Sequence, residues 1–352
     1  MSVPAIAPPI VTSRSALQHV SLAPGFEHLL SEMPPDVDVV PSMMSLGERT
    51  ILYNLAVRCW RGGAIVDAGL MLGASTVLFG RAVQAHHPEI RGRPIVSIDN
   101  AIASPGAVRF LGKHAPEARF RDGDSFADVI RRFIASVENL VDLRIGNLTD
   151  VGKVDGKIDI LFLDALKDAD TCRYSSLNWF PRLVAGSFVL QQDYLIDALP
   201  IIREQQEHLN LTTNCFSYVG EAGPMAVFAC RRRPSVESCE EAAGELPYAH
   251  RQKLLSAAEQ RSVDPYRRAL CAMGRVWRAA ESRGPDEAAA IMGGIRQCYA
   301  TQFETRRYKR LNNAVAAAEF LCSVQWGPET QYKAALLAAG LPVDASDRAV
   351  SA

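Results

Sequence analysis

Two hydrophobic rhythms run along the chain up to about residue 230, and only one continues beyond it. Short apolar runs bounded by Gly, Asp and Asn read as strands. Apolar positions recurring three and four apart read as helices. The runs "AIVDAG" (64–69), "PIVSIDN" (94–100), "LVDLRIGN" (140–147), "KIDILFLDA" (157–165) and "SFVLQQDY" (187–194) belong to the first kind. "TNCFSYV" and "MAVFACR" follow, joined by the turn "GEAGP", and predict an antiparallel pair. Helical spacing separates the strands in "STVLFGRAVQAHH", "SFADVIRRFIASV", "YSSLNWFPRLVAG" and "ALPIIREQQEHLN". A further helix precedes the first strand. Ser45 and Glu48 have capping-box spacing, Ile51, Leu55 and Cys59 recur four apart, and Gly62-Gly63 supply a stop. Alternation of this kind predicts an α/β fold with a doubly wound, largely parallel sheet of seven strands, the last antiparallel.

The run Arg231-Arg232-Arg233-Pro234 ends that pattern, and no further strand is legible. "HRQKLLSAAEQ", "PYRRALCAMGRVWRAAESRG", "PDEAAAIMGGIRQCYATQF" and "LNNAVAAAEFLCSVQW" all have helical periodicity, punctuated by Pro265, Gly284-Pro285 and Gly327-Pro328. The expected organisation is an extended Pro-rich arm over 1–44, a sheet domain over 45–234 and an all-helical region over 235–352. That last region would serve as a lid, a partner site or the surface of a homodimer.

Composition narrows the functional classes. The 352 residues are 48% hydrophobic and 22% charged, with a formal net charge of -1. No global field draws such a chain to nucleic acid or a membrane. The short basic cluster of Arg306, Arg307, Lys309 and Arg310 has no aromatic platform beside it and reads as a solvated helix face. The eight cysteines form no C-x-x-C pair, so neither a zinc site nor a disulfide framework is signalled. The Pro-containing N-terminus lacks the apolar core of a secretory signal, and no stretch is apolar for the length of a membrane span. A cytoplasmic protein acting on a small molecule is the expectation.

The chemistry collects where the predicted strands end. Ligands of open α/β sheets bind beyond the carboxyl ends of the strands. The first strand runs into "VDAGLMLGAST", a D-x-G-x-x-x-G turn made of Asp67, Gly69 and Gly73. Gly69 permits a sharp turn and Gly73 a close approach of backbone to a ligand. Ser75 or Thr76 would cap the following helix. No lysine-bearing phosphate loop is present, which disfavours nucleoside triphosphates. The second strand ends in Asp99, where a doubly wound site takes the diol of a ribose. The fourth ends in "FLDALKD", with Asp164 and Lys167 three apart, and the fifth in Asp193 followed by Tyr194.

Together these residues resemble the class I S-adenosylmethionine-dependent methyltransferase family over roughly residues 45–230. The resemblance implies a Rossmann-like methyltransferase sheet and a transferase that uses S-adenosylmethionine. Asp67, Gly69 and Gly73 would hold its methionine part, Asp99 its ribose, and Asn147, in the loop "IGNLTD", its adenine, with Ser75 also among the cofactor-binding residues. "FLDALKD" resembles the fourth strand of small cation-dependent O-methyltransferases. By that resemblance Asp164 and Asp193 would bind Mg²⁺ or another divalent cation, and Lys167 would be the general base for an acceptor hydroxyl. Tyr194 departs from that group, where an amide or an acid is usual. The expected activity is O-methylation of a small-molecule or sugar-like metabolite. The alternative is a non-catalytic protein of the same fold that binds partners through its helical region.

Overall fold

The computed structural model describes residues 20–304 and 309–340. Residues 1–19 of the expected arm, and Arg306 and Arg307 of the basic cluster, lie outside the described residues. The helix signalled by Ser45 is α1 (Leu46–Arg58). Its capping box is complete: Ser45 Oγ accepts from Glu48 N, and the Glu48 side chain accepts from Ser45 N.

Two compact units are distinguished by their internal contacts. The first holds residues 1–166, 174–192 and 215–235, and the second holds 167–173, 193–214 and 236–352. The second unit therefore draws two segments from the stretch that the sequence pattern joins to the sheet.

The first unit is built on one sheet. Its strands are β1 (Val20–Leu22), β2 (Ala64–Ala68), β3 (Ile95–Asp99), β4 (Val141–Ile145), β5 (Ile158–Leu163), β6 (Leu183–Gln191), β7 (Phe216–Ala222) and β8 (Met225–Cys230). Their spatial order is β1-β7-β8-β6-β5-β2-β3-β4. Pairing is parallel from β4 through β6, and β8 is antiparallel to both of its neighbours. The sheet has eight strands where the sequence pattern gives seven, because the arm contributes β1. Val20, Ser21 and Leu22 pair antiparallel with Ala222, Glu221 and Gly220. Three residues are too few to show an alternation, so periodicity could not mark this strand.

Strand order reverses at β2, which lies between β5 and β3. In a doubly wound sheet this is the switch point where connections leave in opposite directions and open a crevice. The helices α2 (Ala74–His86), α3 (Pro105–His114), α4 (Ala127–Ile134), α5 (Leu148–Val151) and α6 (Ala169–Asn178) follow β2 to β5. One apolar core joins α1, α2 and α4 to the sheet, with Ile51, Leu55, Phe79, Ile130 and Phe162 all essentially inaccessible. β5 is buried at every position, which is why it reads as an unbroken apolar run. Its one acid, Asp159, accepts backbone N–H bonds from Arg61 and Gly63 at 3.0 and 2.7 Å.

The second unit is helical. It contains α7 (Pro200–Thr213), α8 (Val236–Ala243), α9 (Tyr248–Arg261), α10 (Pro265–Arg283), α11 (Pro285–Cys298), α12 (Ala300–Glu304), α13 (Lys309–Leu321) and α14 (Pro328–Ala339). Met273, Trp277, Ile295, Leu311 and Leu321 form its core. α7 carries an unusual run of buried polar side chains, from Arg203 to His208. Among the described residues no helix is long and apolar enough to cross a membrane.

Candidate active site

The turn after β2 is shaped by what it must avoid. Gly69 has φ +91°, and a Cβ there would lie 2.7 Å from the backbone carbon of Asp164. The chain can therefore cross the end of β5 only if residue 69 is glycine. Asp164 N donates to Ala68 O at 2.7 Å, and Gly69 N to Ile98 O at 2.8 Å, so the exits of β2, β3 and β5 are tied together. Gly73 has φ +86°, and its missing Cβ leaves room for Cγ2 of Ile134 on α4. The close approach expected here is to the protein's own side chain.

The role expected for Ser75 and Thr76 needs correction. Gly73 occupies the N-cap of α2 and makes no side-chain capping bond. Both hydroxyls instead donate to Asp67: Ser75 Oγ at 2.9 Å from each carboxylate oxygen, and Thr76 Oγ1 at 2.5 Å from Oδ2. Thr76 in turn bonds Ser97 of β3 at 2.9 Å. Asp67 is fully buried. Desolvation pushes its carboxyl up to about 7, against the pull of the two hydroxyls, and the nearby charges of Asp164 and Asp99 push the same way.

Asp99 is aimed into the same turn. Its Oδ2 accepts from the backbone N of Met71 at 2.9 Å, and its Oδ1 from Ala101 N at 2.7 Å. Met71 adopts φ +50°, a conformation non-glycine residues seldom take, and this turns its amide onto the acid. Burial raises the Asp99 carboxyl, while these backbone bonds oppose the shift. Leu70 is a third backbone donor toward it, and a carboxylate offers about four acceptor positions, so a further donor can be accommodated.

The loop "DGDSF" (122–126) is laced onto the exit of β3. Gly123 N donates to Ala103 O and Phe126 N to Ala101 O, each at 2.8 Å, and Ala103 N donates to Asp124 O at 2.8 Å. It thereby braces the segment that feeds Asp99. Asn147 is exposed at the N-cap of α5, where its carbonyl accepts from Asp150 N and Val151 N. Sequence reasoning missed the Met71 amide and the Thr76 hydroxyl, because neither residue type signals a site.

Lys167 and Asp193 meet within the second unit, where Lys167 Nζ donates to Asp193 Oδ2. Tyr194 is turned away from any ligand role. Its buried hydroxyl donates to Glu207 Oε1 at 2.6 Å, and burial together with that carboxylate raises the phenol well above its ordinary range. The donor set expected for Mg²⁺ does not fit. A hard cation takes six or more oxygens. The Asp193 carboxylate is ion-paired with an ammonium, and the Gln192 amide donates to Glu48 at 2.5 Å. Among the described residues no group of three His, Cys, Asp or Glu side chains could hold a metal.

The family model described as "Methyltransferase domain" matches residues 66–194. These 129 residues, a little over a third of the chain, are similar to that methyltransferase domain. The match begins at Val66, beside Asp67, and ends at Tyr194, so it spans every residue singled out from the strand ends. Methyltransferases of this class use S-adenosylmethionine. Two solved structures are similar. The O-methyltransferase NovP has 16% identity and a TM-score of 0.40, covering 52% of this chain and 81% of its own. The pyocyanin biosynthetic protein PhzM has 18% identity and a TM-score of 0.30, covering 53% of this chain and 57% of its own. No match was found among the curated proteins.

Proposed function

We propose that this chain is a methyltransferase that moves the methyl group of S-adenosylmethionine to a hydroxyl oxygen of a small molecule. The observation that carries the reading is the set of three acids, Asp67, Asp99 and Asp164, on the exits of three adjacent strands at the switch point. Like charges gathered in a desolvated turn raise one another's pKa, and a cation placed among them relieves that repulsion. S-adenosylmethionine carries two such charges, an ammonium and a sulfonium, and supplies an electrophilic methyl when bound.

The residues of the turn fit that group. Asp99 keeps an acceptor position for a ribose hydroxyl beyond its bonds to Met71, Ala101 and Leu70. Asp67, pinned by Ser75 and Thr76, sets the charge of the turn without moving. Gly69 and Gly73 hold the backbone in its left-handed path. Within the second unit Lys167 and Asp193 form an acid–base pair that can relay a proton from a hydroxyl, Lys167 taking it up as it gives its own to Asp193. Such a pair contributes about 10²–10⁴-fold in rate.

Calorimetric titration with S-adenosylmethionine and S-adenosylhomocysteine, on wild type and Asp99→Ala, tests the reading. Micromolar binding by wild type that the variant loses is the expected result. No heat with either ligand, from protein with a cooperative unfolding transition, would overturn it. The fold would then serve as a scaffold for partners.

A further inference from the structure

The two ends of the sheet in the first unit carry opposite charge, which a net charge of -1 conceals. Asp67, Asp99 and Asp164 gather where β2, β3 and β5 end. Cations gather where the parallel strands begin. The segments 58–63, 87–94, 135–140, 152–157 and 179–182 lead into β2 to β6, and 231–235 leaves β8, which runs the other way. All six belong to the first unit and together hold ten arginines and lysines against three acids, Glu89, Glu138 and Asp155. We propose that this end of the sheet binds the phosphate backbone of a double-stranded nucleic acid without reading its sequence.

Backbone pairing sets the cations in a row. β8, β6, β5, β2 and β3 are neighbours in that order. Arg231, Arg182, Lys157, Arg61 and Arg93 stand at their ends, one for each strand. Ile65 N donates to Pro94 O and Ala64 N to Lys157 O, at 2.9 and 3.0 Å, so the turns holding Arg93, Arg61 and Lys157 lie side by side. Ile158 pairs with Leu183, which sets Arg182 next to Lys157. Arg233 Nε donates to Pro181 O at 2.6 Å and fastens the triple-arginine run beside Arg182. Strands lie about 4.8 Å apart, so the row is roughly 19 Å long. A duplex carries one charge per about 1.7 Å of its axis, or about eleven over that span.

The charge of the row is little answered from within. Arg61 and Lys157 share one buried acid, Asp159, at 3.8 and 3.7 Å, and their side chains are 46% and 49% exposed. Arg182 bonds to the backbone carbonyl of Asn178, and Arg91 to those of Pro88 and Ile90, which orders each guanidinium without neutralising it. A guanidinium so held presents a fork to phosphate. Two rival partners fit the face less well. Protein interfaces have an apolar centre, and membrane-surface segments carry apolar anchors. Among the described residues, no exposed large hydrophobic lies in the six segments, and Trp60, Trp179 and Phe180 within them are buried. Buried rings offer unpaired bases no platform for stacking, which selects a duplex.

Fluorescence anisotropy with the full chain tests the proposal, using a duplex of about 20 base pairs made as DNA and as RNA. With about five phosphates contacted, affinity should fall about 500-fold between about 50 and 200 mM salt. Arg93→Glu/Arg231→Glu, at exposed positions at the two ends of the row, should weaken binding about tenfold or more at the lower salt. Arg109→Glu/Lys113→Glu makes the same change of charge at exposed positions of α3 and should weaken it no more than about threefold. Urea unfolding of both variants should match the wild type, which keeps folding apart from binding. Polyglutamate and phosphatidylglycerol vesicles are the rival probes. Tighter binding of either than of both duplexes would overturn the proposal in favour of an acidic protein or a membrane surface. So would no duplex binding at the lower salt, a loss of less than about tenfold across the salt range, or equal losses in the two variants. None of these outcomes depends on methyl transfer.

Discussion

Buried acids occur in both units and are treated in opposite ways. In the second unit they meet arginines. Glu204 is held by Arg278, and Glu207 accepts from Arg261 at 2.6 and 2.7 Å as well as from Tyr194 and Asn210. Burial still raises the Glu207 carboxyl, but Arg261 is the first influence opposing it. In the first unit Asp67 meets two hydroxyls and Asp99 meets backbone amides. A guanidinium completes a carboxylate and closes the account of its charge. Hydroxyls and amides orient a carboxylate and leave its charge to be answered by something that binds. One arrangement builds structure, and the other prepares a site.

The widest separation between the two should come from removing one member of each. Asp99→Ala should lower affinity for S-adenosylhomocysteine by roughly 10²–10⁴-fold, since two hydrogen bonds to a charged group are worth about 1.5–3 kcal/mol each. Calorimetry of the purified variant checks this. Glu204→Ala should act on stability, costing about 3–5 kcal/mol because Arg278 stays buried without its partner. Urea unfolding should show that loss, and the double variant Glu204→Met/Arg278→Met should recover most of it. Equal losses in the single and double variants would mean that packing, and not charge, holds α7 to α10.

Two smaller effects sharpen the contrast. Gly73→Ala forces a side chain into a left-handed position and against Ile134, and about 2–4 kcal/mol of destabilisation should follow in urea unfolding. The pH dependence of Asp67 runs the other way from an ordinary salt-bridged acid. Its folded pKa is about 7, above the usual value near 3.8. Its protonated form therefore stabilises the fold fully below pH 4, and that contribution is lost as pH rises through 7. Asp67→Asn should flatten the stability profile between pH 4 and 7, by at most roughly 4 kcal/mol on the linkage relation. Binding of S-adenosylmethionine near pH 6.5 should release protons from the wild type and not from that variant. Titrations in buffers of different ionisation enthalpy would detect the difference.

Much of the sheet was legible because its strands are buried on both faces and their ends carry glycine and acid. The Gly69 turn, the acid at the end of β3 and the hairpin of β7 and β8 all have local signatures. What stayed hidden depends on partners far apart in the sequence. Thr76 looks like a helix-start residue until Asp67 is seen nine positions before it, and Met71 like a core residue until its amide is found on Asp99. α7 was harder still. Helical spacing marks the element, but the partners at 194–197, 261 and 278 that accompany its buried Arg203, Glu204 and Glu207 are distant in the sequence or carry no signal. The same pattern also hid how contacts divide the chain, since 167–173 and 193–214 join the helical unit although they are threaded between strands.

The short strand β1 bears on how this protein can be handled. Ala23 N donates to Val219 O at 2.6 Å, and Gly220 lies so close to Ser21 O that a Cβ would approach it to 2.2 Å. Gly47 makes similar room for Val20 at the start of α1. A chain trimmed to begin at Ser45 would look complete by every motif in it, yet β7 would present a bare row of amides and carbonyls along the sheet margin. Such margins recruit other strands. Solubility on storage would then hinge on a tripeptide.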